Sequence, residues 1–190
     1  MNEVWLIRHG ETEWSRSGQH TGRTDIPLIA DGRAQARMLG QFLAGRKFAL
    51  VLSSPRQRAL ETARLAGYGD AVEIDPNLSE WDYGDYEGRT AIDIRKKVPD
   101  WSLWMHGVPN GETAGHVVAR AEAVIRRVEP VQGDVALFAH GHILRVLALC
   151  WIEQPVEFGA RLALATASVS RLGREREVRA LVQWNVSPGV

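Results

Sequence analysis

Three short apolar runs, VWLI (4–7), FALVLSS (48–54) and VALFA (135–139), each end in a polar turn and lead towards a helical pattern. Continuous apolar runs of this length are the signature of strands covered on both faces. Their alternation with helices predicts a parallel sheet between helical layers. The expected fold is α/β, a three-layer α/β/α sandwich with a mostly parallel central sheet. The first helix is expected over DGRAQARMLGQFLAG (31–45), with Asp31 as N-cap and Ala34, Met38, Leu39 and Phe42 facing inward. Pro55 fits the first turn of a second helix running through RQRALETARLAG (56–67). Two more are expected over 113–129 and 143–151. Residues 167–184 read as two edge strands around a turn near Gly173. The stretch 76–112, rich in Trp, Gly and Pro, is the one long irregular segment, of the kind that forms lids and binding walls.

At 190 residues the chain suits one domain, residues 1–190, able to bury roughly 70% of the surface its unfolded form exposes. Twenty-three basic residues balance 23 acidic ones, so no global field favours nucleic acid or an anionic membrane. No apolar run approaches the length of a membrane span and no leader pattern opens the chain; the expected location is cytoplasmic. Cys150, the single cysteine, lies in an apolar stretch and reads as a small core residue.

Ligands of open α/β sheets bind beyond the carboxyl ends of the strands. There the three runs deliver Arg8 and His9, Ser53 to Arg58, and His140 to His142. Arginine offers phosphate a planar fork of donors, and amides at a helix N-terminus add positive potential. A histidine in such a crevice can bind phosphate as an imidazolium, or attack phosphorus as a neutral ring. A proton donor for the leaving oxygen is still needed. LSEWDYGDYEG (78–88) offers Glu80, Asp82, Asp85 and Glu87.

LIRHGETEW (6–14) resembles the signature of the histidine phosphatase superfamily, whose members include phosphoglycerate mutases and phosphomonoesterases. TGRTDIPL (21–28), LSSPRQRALETA (52–63), LSEWDYGDYEG, NGET (110–113) and FAHGH (138–142) follow in the family's order, so the resemblance spans residues 4–146. It implies a phosphoglycerate mutase-like fold, His9 as nucleophile, Arg8 and Arg58 as phosphate ligands, and His140 as a second histidine held protonated against the phosphate. Glu80 takes the position of the proton donor. Ser15, Thr21, Gly22, Tyr83 and Gly141 match positions lining the substrate pocket, with Ser15 replacing the family's asparagine by a shorter donor. Arg56 reads as a flanking charge, His20 and His106 as surface or rim residues. His142 lacks the companions a metal pair needs, and neither metal nor cofactor is expected. Trp81, Trp101 and Trp104 read either as an apolar wall for substrate or as packing.

The resemblance implies a phosphomonoester hydrolase working through phosphohistidine on a small phosphorylated metabolite, as monomer or homodimer. Its short segments look most like the branch of sugar bisphosphatases and broad-specificity acid phosphatases. Two alternatives stand beside it. A mutase would carry a longer basic insertion after YGDYEG, where this chain has only Arg95, Lys96 and Lys97. A silent phosphate-binding protein would have no use for all of His9, His140, Arg8, Arg58 and Glu80.

Overall fold

A computed structural model of the chain describes residues 2–188. In chain order the regular elements are β1 (Val4–Arg8), α1 (Glu13–Ser17), α2 (Ala30–Leu43), β2 (Leu50–Ser53), α3 (Gln57–Leu65), β3 (Val72–Ile74), α4 (Ala91–Arg95), α5 (Leu103–His106), α6 (Ala114–Val128), β4 (Val135–Ala139), α7 (Gly141–Trp151), β5 (Val169–Glu175) and β6 (Val178–Val186). The strands form one sheet in the order β3-β2-β4-β1-β5-β6. Pairs among β3, β2, β4 and β1 are parallel, whereas β5 runs antiparallel to β1 and β6 to β5.

Successive strand residues point to opposite faces, and each face has its own core. Val4, Leu6, Leu52, Val135 and Leu137 face Val117, Ala121 and Val124 of α6 and Leu144 and Leu147 of α7. Trp5, Ile7, Val51, Ala136 and Phe138 face Leu39 and Leu43 of α2 and Ala63 of α3. The architecture is the expected three-layer sandwich.

The register sets Arg8 opposite Ala139 and Ser53 opposite Phe138, so β1, β2 and β4 end at one level. The helices following β1 and β2 pack on one face of the sheet and the helix following β4 on the other. Neighbouring strands whose chains leave to opposite sides open a crevice at their carboxyl ends, the switch point of an open α/β sheet.

Helix α2 is turned differently from the sequence expectation. Ile29 is its N-cap and Asp31 lies in the first turn. Gly32, Ala36, Leu39 and Leu43 are the buried positions, while Met38 and Phe42 remain 40% and 43% exposed. The cause is a close approach at the site. A Cβ on Gly10 would lie 2.3 Å from Gly32 O, and one on Gly32 would lie 2.1 Å from Glu11 O. Two facing glycines let the helix start against the chain leaving β1, and that contact fixes the helix rotation.

Three further expectations change. Pro55 precedes α3, whose N-cap is Arg56. Gly173 lies inside β5; the turn is at 176–177, and β5 is an interior strand, so only β6 forms that edge. Residues 76–112 contain α4, α5 and short 3₁₀ turns, and they bury Trp81, Trp101 and Trp104 in the α6–α7 core. Indole N–H groups of Trp81 and Trp101 donate to Glu112 O and Gly107 O, both at 2.9 Å. The tryptophans pack; they do not line the crevice. Among the described residues no helix is long and apolar enough to cross a membrane.

Candidate active site

The crevice holds a pocket open to solvent. Arg8, His9, Ser15, Thr21, Glu80, Tyr83 and Gly141 line it, as do Trp14, Gln19, His20, His142 and Arg145.

His9 follows β1 directly and is 5% exposed. Its Nδ1 lies 2.7 Å from Gly10 O. A carbonyl only accepts, so Nδ1 carries the proton and Nε2 keeps its lone pair. Burial, then the charges of Arg58 and Arg8, push the ring well below the usual histidine pKa. His9 is therefore a neutral imidazole with a fixed tautomer. Arg8 beside it donates Nη1 to Leu164 O, while its buried Nε has no partner among the described residues.

Arg58 and His140 stand behind this surface, both fully buried. Arg58 donates Nε to His140 Nδ1 (3.1 Å), Nη1 to Thr24 O (3.0 Å) and Nη2 to Thr21 O (3.0 Å). Because Nδ1 of His140 accepts, its Nε2 holds the proton, and that nitrogen sits 2.7 Å from Ser54 Oγ. Burial and the Arg58 charge hold His140 well below the usual histidine pKa. The expected imidazolium is thus replaced by a neutral ring, because a guanidinium occupies the nitrogen that would take the proton. The rings of His9 and His140 meet edge to face, centroids 5.1 Å apart.

Glu80 is the only carboxylate lining the pocket among the described residues. It accepts from Trp81 N (2.9 Å), His142 N (2.9 Å) and Ile143 N (2.9 Å), and so caps the first turn of α7. Burial alone would raise its carboxyl, yet hydrogen bonding to His142 holds it well below the usual range. The His142 and Ile143 amides of α7 thus serve Glu80. Tyr83 Oη lies 2.6 Å from His142 Nδ1. Burial drives the Tyr83 phenol well above its ordinary pKa, so it stays neutral. Burial, then Arg145, lowers His142 to about 4.

The remaining candidate acids, Asp82, Asp85 and Glu87, have partners elsewhere, Asp85 accepting from Asn110 Nδ2 at 3.0 Å. Asp82 pairs with Arg23 at 2.5 Å and accepts from Gly84 N. Glu87 accepts from Gly22 N and Thr24 N, each at 2.9 Å. Gly22 therefore offers no free amide, and a Cβ there would lie 2.4 Å from Trp81 O. Ser15 lines the pocket, but its hydroxyl donates to Thr12 O and accepts from Thr12 N in the α1 capping box. The shorter donor is taken up by the cap, because so short a side chain reaches the helix end first. Thr21 similarly donates to Gln19 O. His20 is at the rim as expected, held by Arg89 O at 2.7 Å, whereas His106 bonds locally to Ser102. Sequence reasoning passed over Trp14, Gln19 and Arg145 among the lining residues; of these, Arg145 carries a charge. It sits one turn after Gly141 on α7, and that spacing from HGH was the available signal.

The profile of the histidine phosphatase superfamily (branch 1) matches residues 4–187. An acid phosphatase of Mycobacterium tuberculosis is 44% identical over 184 residues, covering 95% of this chain and 90% of that protein. Sedoheptulose 1,7-bisphosphatase of Saccharomyces cerevisiae is 37% identical, covering 80% of this chain and 68% of its own length. The solved structure of a Mycobacterium tuberculosis open reading frame product superposes with a TM-score of 0.93 at 40% identity, covering 98% of both chains.

Proposed function

This chain belongs to the histidine phosphatase superfamily and is a phosphatase; from that premise we propose that it hydrolyses monoesters of small phosphorylated metabolites, sugar phosphates among them, through phosphohistidine at His9. One observation carries the assignment. The Nδ1–H of His9 is committed to Gly10 O, which leaves Nε2 as the nucleophile and stabilises the positive charge the ring acquires when Nε2 bonds to phosphorus.

In the first step Nε2 of His9 attacks phosphorus, the P–O bond to the alcohol breaks, and the Glu80 carboxyl gives its proton to the departing oxygen. Arg8 supplies positive charge at the pocket surface; Arg58 supplies it from behind, where it also fixes His140. Such preorganised charge does most of the work in phosphoryl transfer. In the second step the Glu80 carboxylate takes a proton from water and the oxygen attacks phosphorus. The N–P bond breaks, its electron pair returns to Nε2, and inorganic phosphate leaves. The approach of an anionic ester raises the carboxyl and favours the protonated form that the first step requires.

The test is capture of the intermediate. Base-quenched wild type should retain label from the phosphoryl group of the substrate, later acid treatment should release it, and His9→Ala should neither label nor turn over. Label persisting in His9→Ala overturns the assignment.

A further inference from the structure

The proton on the His9 ring is held by one peptide plane. Gly10 O accepts from Nδ1 of His9 at 2.7 Å, and the N–H of that same peptide, which belongs to Glu11, donates to Gln35 Oε1 at 2.9 Å. The C=O and N–H of a trans peptide point in opposite directions within one plane. A partner that fixes the N–H therefore also fixes where the oxygen points. A hydrogen-bonded N–H further polarises its peptide and makes the carbonyl a better acceptor.

The fold delivers Gln35 to this place. It lies three residues after Gly32 on α2, and so on the same helix face. The close approach of Gly10 to Gly32, which seats α2 against the chain leaving β1, carries Gln35 to the Glu11 amide. The turn is braced elsewhere as well. Gly10 N donates to Thr62 Oγ1 of α3 (3.0 Å), Ile29 N to Glu11 O (3.1 Å) and Ala167 N to His9 O (3.0 Å). Each of these bonds holds a neighbouring peptide. Among the described residues Gln35 alone, besides His9, bonds to the plane between Gly10 and Glu11. Solvent could satisfy a half-buried amide, but a side chain anchored on a helix also sets its direction.

We propose that Gln35 is a positioning residue for phosphoryl transfer, locking the Gly10–Glu11 peptide so that Gly10 O keeps the proton on Nδ1 of His9 and Nε2 keeps its lone pair for phosphorus. The proposal rests on His9 being the nucleophile. A carbonyl free to swing away would let the proton move to Nε2, and that tautomer has no lone pair for the attack. When Nε2 bonds to phosphorus the ring becomes cationic, and the locked carbonyl then accepts from a stronger donor.

Gln35→Met removes the acceptor at similar length, and Gln35→Glu keeps one. Both are compared with wild type in single-turnover phosphorylation by nitrophenyl phosphate, whose leaving group needs little from Glu80. Nitrogen NMR of the histidine rings reads the tautomer, with the His9 signal identified by its loss in His9→Ala. Gln35→Met should slow phosphorylation at saturating substrate by roughly 10- to 100-fold, the cost of a small misplacement at a reacting group. Half-saturation should change little, and the His9 signal should gain the Nε2–H tautomer. Gln35→Glu should recover most of the rate and the wild-type tautomer. A Met variant as fast as wild type overturns the proposal, as does slowing with the His9 tautomer unchanged, or a Glu variant as slow as Met. Whatever the stability of the Met form, hydrogen exchange in wild type is an independent check: the Glu11 amide should exchange far more slowly than amides of the exposed turn at 176–177, and equal rates overturn the proposal. Failure of the His9 assignment shows instead as label on His9→Ala, which no Gln35 result can produce.

Discussion

Replacing Arg58 by methionine tests whether the buried guanidinium is the keystone the geometry makes it. The side chain is fully buried, and its donors satisfy Thr24 O, Thr21 O and His140 Nδ1 at 3.0, 3.0 and 3.1 Å. Methionine refills much of the volume but removes every donor. One buried and two half-buried acceptors are then unmatched, each costing up to about 1–3 kcal/mol. Release of a desolvated cation offsets part of this. A net loss of about 3–5 kcal/mol follows, similar to breaking a buried ion pair from one side. For a chain of this size that is roughly 10 °C in Tm. Urea unfolding at pH 7.5, where the buried histidines are neutral in both states, measures the difference without proton uptake. Arg58→Lys should fall between the two, because a point charge cannot span carbonyls and imidazole at once. Unfolding of Arg58→Met within about 1 kcal/mol of wild type, the size of an ordinary substitution, would refute the reasoning.

Two other outcomes follow from the same geometry. Glu80→Gln should slow single-turnover phosphorylation by sugar phosphates by roughly 10²–10⁴, the usual worth of a general acid, and slow nitrophenyl phosphate far less because nitrophenolate leaves unaided; equal slowing would remove the acid role from Glu80. His9, His140 and His142 all have folded pKa values depressed below that of the unfolded chain, so their contribution is complete above about pH 6.5 and is lost as pH falls, each withdrawing about 1.4 kcal/mol per unit once the unfolded form protonates. Urea unfolding at pH 7.0, 6.0 and 5.0 should show this acid-side decline, and a flat profile would contradict the burial of neutral rings.

The β1, β2 and β4 runs were legible because strands covered on both faces cannot hide their apolar continuity, and topology then forces their carboxyl ends together. That is why Arg8, His9 and His140 could be gathered from distant segments. Depth was not legible. Nothing in the spacing of Arg58 and His140 tells that they bond to each other behind the pocket. Nor does a run of acidic residues tell which one faces inward: Glu87 holds the Gly22 and Thr24 amides, Asp82 holds Arg23, and only the path of the loop selects Glu80. The α2 rotation was misread because hydrophobicity favours burying Met38 and Phe42, and a glycine contact overrides it. Strand β3, three residues long, carries too short a pattern to register. Arg145 was hidden by its apolar neighbours in ILRVLALCW, although a helix begun at Gly141 places it on the pocket side one turn later.

The α7 amides bound to Glu80 reconcile a carboxylate held low with the task of protonating a poor leaving group. An acid is strong when its conjugate base is stabilised, and the His142 and Ile143 amides at the positive end of a helix dipole do that for Glu80. In the proposed first step, proton transfer creates the carboxylate as the alkoxide forms, so the amides tighten on Glu80 while the P–O bond breaks. The opposing requirement is that Glu80 be protonated beforehand, which a low pKa disfavours at neutral pH. The anionic substrate relieves it by bringing negative charge beside the carboxyl. Acidic solution relieves it further, and His9, whose ring is held neutral by burial and two arginines, remains nucleophilic there. Stability moves the other way, because the same neutral rings draw protons to the unfolded chain. The working pH is therefore bounded from above by the protonation of Glu80 and from below by unfolding, two limits set by one buried cluster.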